Sequence, residues 1–279
     1  MRPRAFLVLG LAFGALAAPA ARAQEAPPAA GGGEKPAPEQ TPEEKKAEEV
    51  KAYLKTYEET LSKMTEPDAI SGLNKLKGYY LDAQVHADQK KDIMTVFQTK
   101  VIRVKGKESY LEAACKALGE MGGDAAVGQL KFLVSDSLDK KVPVLKVARG
   151  GLEALGKIAS PKPGDVKFLT DMVKKSDDDI VGDVAQALKG YGKAPGAVRK
   201  DIFEQLLLKT EGVYSKQENN DPNAKKQWTQ WGTDAVDALK AVSRQNFAKP
   251  TEFRKWFNNK DAGGGKNPRT WADEPEPSK

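Results

Sequence analysis

The chain has 279 residues, 39% of them hydrophobic and 30% charged, with a formal charge of +6, one Cys and one His. One Cys cannot close an internal disulfide, and one Cys with one His cannot make a Cys/His zinc site. A mean hydropathy of −0.58 excludes a multi-span membrane protein, and the length suits one or two domains with a sizeable core.

The chain opens like an export signal. Arg2 and Arg4 precede an uncharged apolar run from Ala5 to Ala18, and Ala21-Arg22-Ala23 offers small residues where a signal peptidase reads. The run is shorter than the roughly 20 residues of a spanning helix. The expectation is a signal peptide over 1–23, cleaved near Ala23, and a secreted or periplasmic protein without stable membrane insertion. A retained N-terminal anchor is the alternative. Cleavage removes three arginines and takes the formal charge from +6 to +3, which argues against a nucleic-acid partner. Residues 24–41 are a Pro/Ala/Gly/Glu segment read as a disordered linker.

Thr41-Pro42-Glu43-Glu44 reads as a helix start, with a Thr cap, Pro in the first turn and Glu for a capping box. Ala47, Val50, Leu54, Tyr57, Leu61 and Met64 then recur at intervals of 3 and 4, forming one apolar stripe on a helix. The expectation is an N-terminal amphipathic helix over 42–65 that caps the body. A dimer seam through residues 47–64 is the functional alternative.

From residue 66 a pattern repeats. Leu76, Leu118, Leu155, Leu188 and Leu239 sit at intervals of 42, 37, 33 and 51. Four residues before them stand Gly72, Ala114, Gly151, Val184 and Ala235, and three after them Tyr79, Met121, Ile158, Tyr191 and Val242. Positions three and four apart share a helix face, and its small residues let a neighbouring helix approach. A Gly, Pro or Asp turn and a second apolar helix follow each unit, as with Gly122-Gly123-Asp124 before Val127, Leu130 and Leu133. Nothing reads as alternating strands, so the fold class is all-α.

The pattern resembles the HEAT-repeat family over about 66–259. The period is near forty residues, and Ala-Leu-Gly recurs at Ala117-Leu118-Gly119 and Ala154-Leu155-Gly156. The aromatic end, Phe253-Arg254-Lys255-Trp256-Phe257, is similar to the closing unit of some exported bacterial HEAT-like proteins. The resemblance implies an α-solenoid of about five helix pairs. Two features depart from it: Lys75 replaces Ala before Leu76, and Lys209–Gln227 is longer than a repeat linker. Residues 260–279, with Gly263-Gly264-Gly265, read as a disordered tail, and Trp271 within it either docks on the fold or serves as a short linear ligand.

Few residues point to chemistry. Cys115 with His86 as base is the one nucleophile candidate, but Cys115 falls in register with Leu152, Ala185 and Val236, as a buried core thiol would. Asp177-Asp178-Asp179 lacks the alternating ligands, Gly and distant Glu of a cation loop, and suits the start of a helix near Ile180, as Asp124 and Asp165 suit theirs. Gly122-Gly123 and Gly263–Gly265 lack the Lys-Ser/Thr of a phosphate loop. Lys100, Arg103, Lys105 and Lys107, then Lys140, Lys141, Lys146 and Arg149, are the basic runs. They are either a polyanion surface or solvated helix ends. Tyr214–Gln227 reads as a loop interrupting the repeat, and Trp228 and Trp231 after it as core residues or a partner anchor. No catalytic, metal or cofactor-binding residue is assigned. The expected function is a non-enzymatic, exported protein-interaction scaffold with an unidentified protein partner that contacts the second helices. Its rivals are an envelope polyanion binder and, since some helical-repeat relatives are lyases, a lyase-type enzyme.

Overall fold

The computed structural model describes residues 40–272 except Lys141, Ser176, Asp177 and Ala262. The expected signal peptide, nearly all of the linker, Asp177 of the acidic triplet and the last seven residues lie outside the described residues. The described residues are all-helical, without strands, and no helix among them is long and apolar enough to cross a membrane.

Helix α1 (Pro42–Thr60) begins as its sequence predicts. The Thr41 hydroxyl accepts the Glu44 N–H at 3.2 Å, and the Glu44 carboxylate accepts the Thr41 N–H at 2.8 Å. Val50, Leu54 and Tyr57 of its stripe are buried inside this chain. Tyr57 Oη pairs with Tyr110 Oη at 2.8 Å, and burial pushes the Tyr57 phenol up to about 12. A 3₁₀ turn at Leu61–Lys63 leads into α2 (Glu66–Leu81), and α3 (Ala87–Thr99) follows.

The next helices are α4 (Glu108–Met121), α5 (Gly123–Leu138), α6 (Leu145–Ile158), α7 (Pro163–Lys175), α8 (Asp178–Lys189) and α9 (Gly196–Glu218). Only Gly122 separates α4 from α5. Gly122 and Gly123 take φ of +67° and +80°, a corner that side chains with Cβ resist. Helix α10 (Pro222–Gln227) passes through one π turn (Trp228–Gly232) into α11 (Thr233–Ser243), and α12 (Pro250–Asn258) closes the helical order.

The Tyr214–Gln227 segment is not a loop. Helix α9 continues through Glu218, and the break is three residues, Asn219–Asp221. Asn220 adopts φ +65° there, and the Asp221 carboxylate caps α10 by accepting the N–H groups of Asn223 and Ala224. Polar composition suggests a loop at 214–218, but the buried Val213 and Tyr214 keep the helix packed.

Alternate helices pack side by side. Helix α2 lies on α4, α4 on α6, α6 on α8 and α8 on α11. The repeated leucines fill this layer: Leu76, Leu118, Leu155, Leu188 and Leu239 are all buried. Each fully buried leucine is worth about 1.5–3 kcal/mol. The Ala-Leu-Gly motif is the seam between neighbours. A Cβ on Gly119 would sit 2.9 Å from Ala154 Cβ, and one on Gly156 would sit 2.7 Å from Ala187 Cα. The alanine of one helix therefore fits over the glycine of the one before.

The other helices form a second set. Helix α3 packs on α5, α7 on α9 and α9 on α12. Helix α5 instead leans on α6, where Gly151 leaves room for Val134: a Cβ there would meet Val134 Cγ2 at 2.5 Å.

The stretch after Lys260 is folded back in part, and Trp271 takes the docked alternative. A 3₁₀ turn at Pro268–Trp271 brings Trp271 against Phe203 and Trp256, with centroids 5.6 and 5.9 Å apart. Trp271 Nε1 donates to Gly265 O at 2.7 Å. Buried aromatic area and a satisfied indole N–H explain the docking.

Candidate interaction cleft

Cys115 and His86 do not form a catalytic pair. Cys115 lies in α4, fully buried, with Sγ donating to Val147 O at 3.7 Å, and burial pushes its pKa up to about 12. A thiol that stays protonated is a poor nucleophile. His86 is the exposed N-cap of α3, its Nε2 3.5 Å from Glu43 Oε2.

The acidic helix starts bind neighbouring side chains. Asp178 accepts Gln227 Nε2 at 2.9 Å and Trp231 Nε1 at 3.3 Å, while Asp179 accepts Gln230 Nε2 at 3.0 Å. This gives the π turn a role: it aims Trp231 and Gln230 at the start of α8, beside Gln227 from the end of α10. Trp231 is buried, and Trp228 is half-buried against Tyr214 at 4.8 Å between centroids. Both tryptophans thus pack internally.

Asp124 pairs with Lys162. Asp165 accepts Ser160 Oγ at 2.7 Å and Lys131 Nζ at 2.9 Å. Burial works to raise the Asp165 pKa, but Ser160 and Lys131 outweigh it and hold the carboxyl below its usual range. Asp183 behaves oppositely: burial lifts it above the usual range despite Arg149 Nε at 3.0 Å. Among the described residues no group of His, Cys, Asp and Glu is arranged to hold a metal ion.

The second basic run is largely neutralised. Lys140 faces Asp136 at 3.2 Å, Lys146 faces Glu112 at 2.8 Å, and Arg149 faces Asp183. In the first run Lys107 donates to Met64 O at 2.7 Å, and Arg103 lies 4.1 Å from the Phe132 ring centroid. Lys100 and Lys105 project to solvent.

The site that sequence reasoning missed lies where the second set of helices parts. Helix α5 packs chiefly on α6 and makes little contact with α7. The two stay tied near the start of α7, where Lys131 reaches Gly164 O at 3.2 Å, Asp165, and the Phe168 ring at 5.4 Å. Beyond that tie they enclose a cleft of about 620 Å³, within the range of ordinary ligand pockets.

Leu138, Pro143, Leu145, Phe168, Met172 and Ile180 supply its apolar lining, and Ser135, Asp139, Asp171 and Asp179 its polar one. Phe168 and Met172 are one turn apart on α7 and so point the same way. The connection between α5 and α6 is drawn back by the Val144 N–H, which donates to Ser137 O at 2.9 Å and holds Pro143 at the rim. Next to Pro143, Val142 is 77% exposed. No cation lines the cleft among the described residues.

No family model, curated protein or solved structure matches this chain.

Proposed function

We propose that the chain is an exported, non-enzymatic helical-repeat scaffold of HEAT-like type that holds another protein. The α2–α4–α6–α8–α11 packing, with the same leucine buried in each helix, supports a stack of about five helix pairs behind a capping α1. The N-terminal charge, apolar run and Ala21-x-Ala23 site support export to the periplasm or outside the cell. The observation that carries the binding role is the α5–α7 cleft, an apolar recess on the face made by the second helices.

The alternatives have less behind them. A polyanion surface needs unpaired cations, and most of those in the second basic run face carboxylates. Enzymatic chemistry would need an activated group, and Cys115 is inactivated by burial.

The test is site-specific photocrosslinking in the native envelope, with benzophenone placed at position 145 in the cleft or at 201 on α9. A discrete protein adduct from 145 that is absent from 201 is expected. Adducts from neither position, or only to polysaccharide or lipid, would reject the scaffold reading.

A further inference from the structure

We infer that the α5–α7 cleft receives a protein segment in which apolar side chains are flanked by lysine or arginine. This rests on the scaffold reading and names the chemistry of its partner. The first support is the lining itself: three carboxylates, Asp139, Asp171 and Asp179, surround an apolar floor, without a cation among the described lining residues. Asp171 already meets Lys167 at 2.6 Å and Lys174 at 3.9 Å along its own helix. Asp139 is the more telling group.

Asp139 is the C-cap of α5, where the helix's last carbonyls concentrate negative charge, and the last turn of α5 carries no basic residue. A carboxylate there opposes the macrodipole, where a lysine would be favoured. Its neighbour Asp136 is matched by Lys140, while Asp139 is exposed at the cleft wall. A local rule broken with no gain inside the fold is expected at a functional position. A cation brought by a partner would meet both the Asp139 carboxylate and the carbonyl end of α5. Its apolar neighbours would meet Leu138, Leu145, Phe168 and Met172.

The occupant is a segment of another protein, since an apolar anchor beside a cation is what this wall complements. An anionic or purely apolar segment would leave the Asp139 carboxylate desolvated and unmatched.

The test uses the full mature chain labelled at its methionine methyl groups, Met172 being the reporter in the cleft. The probes are acetyl-Lys-Leu-Leu-Phe-Lys-amide and its Glu-Leu-Leu-Phe-Glu counterpart. The lysine peptide is expected to shift the Met172 methyl resonance saturably and to bind at least tenfold tighter than the glutamate peptide. Asp139→Lys should weaken the lysine peptide at least tenfold while melting no lower than the parent, because it improves the end of α5. Leu145→Asp should abolish the shift. Equal binding of the two peptides, a shift confined to other methionines, or Asp139→Lys binding like the parent would overturn the inference. The Asp139 variant and the peptide pair decide it even where Leu145→Asp fails to fold. A protein adduct from position 145 together with equal peptide binding would sink this inference and leave the scaffold reading standing.

Discussion

The seam between successive helices gives the sharpest prediction. Substituting Gly156 by alanine would place a Cβ 2.7 Å from Ala187 Cα and 2.9 Å from Ala187 O. Both are main-chain atoms of α8, so no side-chain rotation relieves the clash, and α6 and α8 must part. Overpacking of this kind costs about 1–3 kcal/mol. Alanine returns up to about 1 kcal/mol of helix propensity, less near the end of α6, so the net loss is about 1–2 kcal/mol. For a body of this size that lowers Tm by roughly 2–8 °C.

Gly212 is the control, because it lies inside α9 with nothing within 4 Å of a built Cβ. There Gly212→Ala has only the propensity gain and should stabilise by about 0.5–1 kcal/mol. Urea unfolding followed by circular dichroism, with m-values compared, measures both. If Gly156→Ala were as stable as the parent while Gly212→Ala gained stability, the small-residue seam would not be the contact that sets helix spacing.

Three further outcomes follow from single side chains. Cys115 should resist iodoacetamide at pH 8 in the folded protein and react once urea unfolds it, as mass spectrometry would show; rapid native labelling would contradict its burial. Asp165→Asn should destabilise the protein at neutral pH. The folded pKa of Asp165 lies below its unfolded value, so its contribution is present above the usual carboxylate range and lost as pH falls through the lowered pKa. The variant and the parent should therefore converge in denaturation midpoint as pH falls below the usual carboxylate range, and a gap that persisted there would assign the effect to packing. Trp271→Ala should cost about 3 kcal/mol, the low end for a large aromatic, because a terminal segment can detach rather than hold a cavity. Limited proteolysis should then cut near Gly263–Gly265, and unchanged protection would show that Phe203 and Trp256 do not hold the segment in place.

The helical body was legible because its signals are local. The Thr41 cap, the period-3.6 stripes and the glycine-proline corners each act within a few residues, and every repeated leucine that they predict is buried. The errors arise where distant residues decide. The Tyr214–Gln227 stretch has a loop's composition, yet Tyr214 packs edge-on against Trp228 and Val213 is buried, so tertiary contacts keep α9 helical beyond its propensity. The tail reads as Gly-rich and unstructured until Phe203, on a helix some seventy residues earlier, supplies a surface for Trp271.

The cleft was illegible for a different reason: it is the absence of a contact, and no residue is selected to announce an absence. One contact beside it is nevertheless written in the sequence. Gly151 occupies a position that the repeat fills with Gly, Ala or Val. At Gly151 the missing Cβ leaves the space that Val134 of α5 occupies. A larger residue at 151 would press on Val134 and push α5 off α6. The small residue at this position thus sets how closely α5 seats on α6, and both helices line the recess. A substitution at Gly151 therefore disturbs the packing of α5 on α6, and with it two of the walls of the cleft.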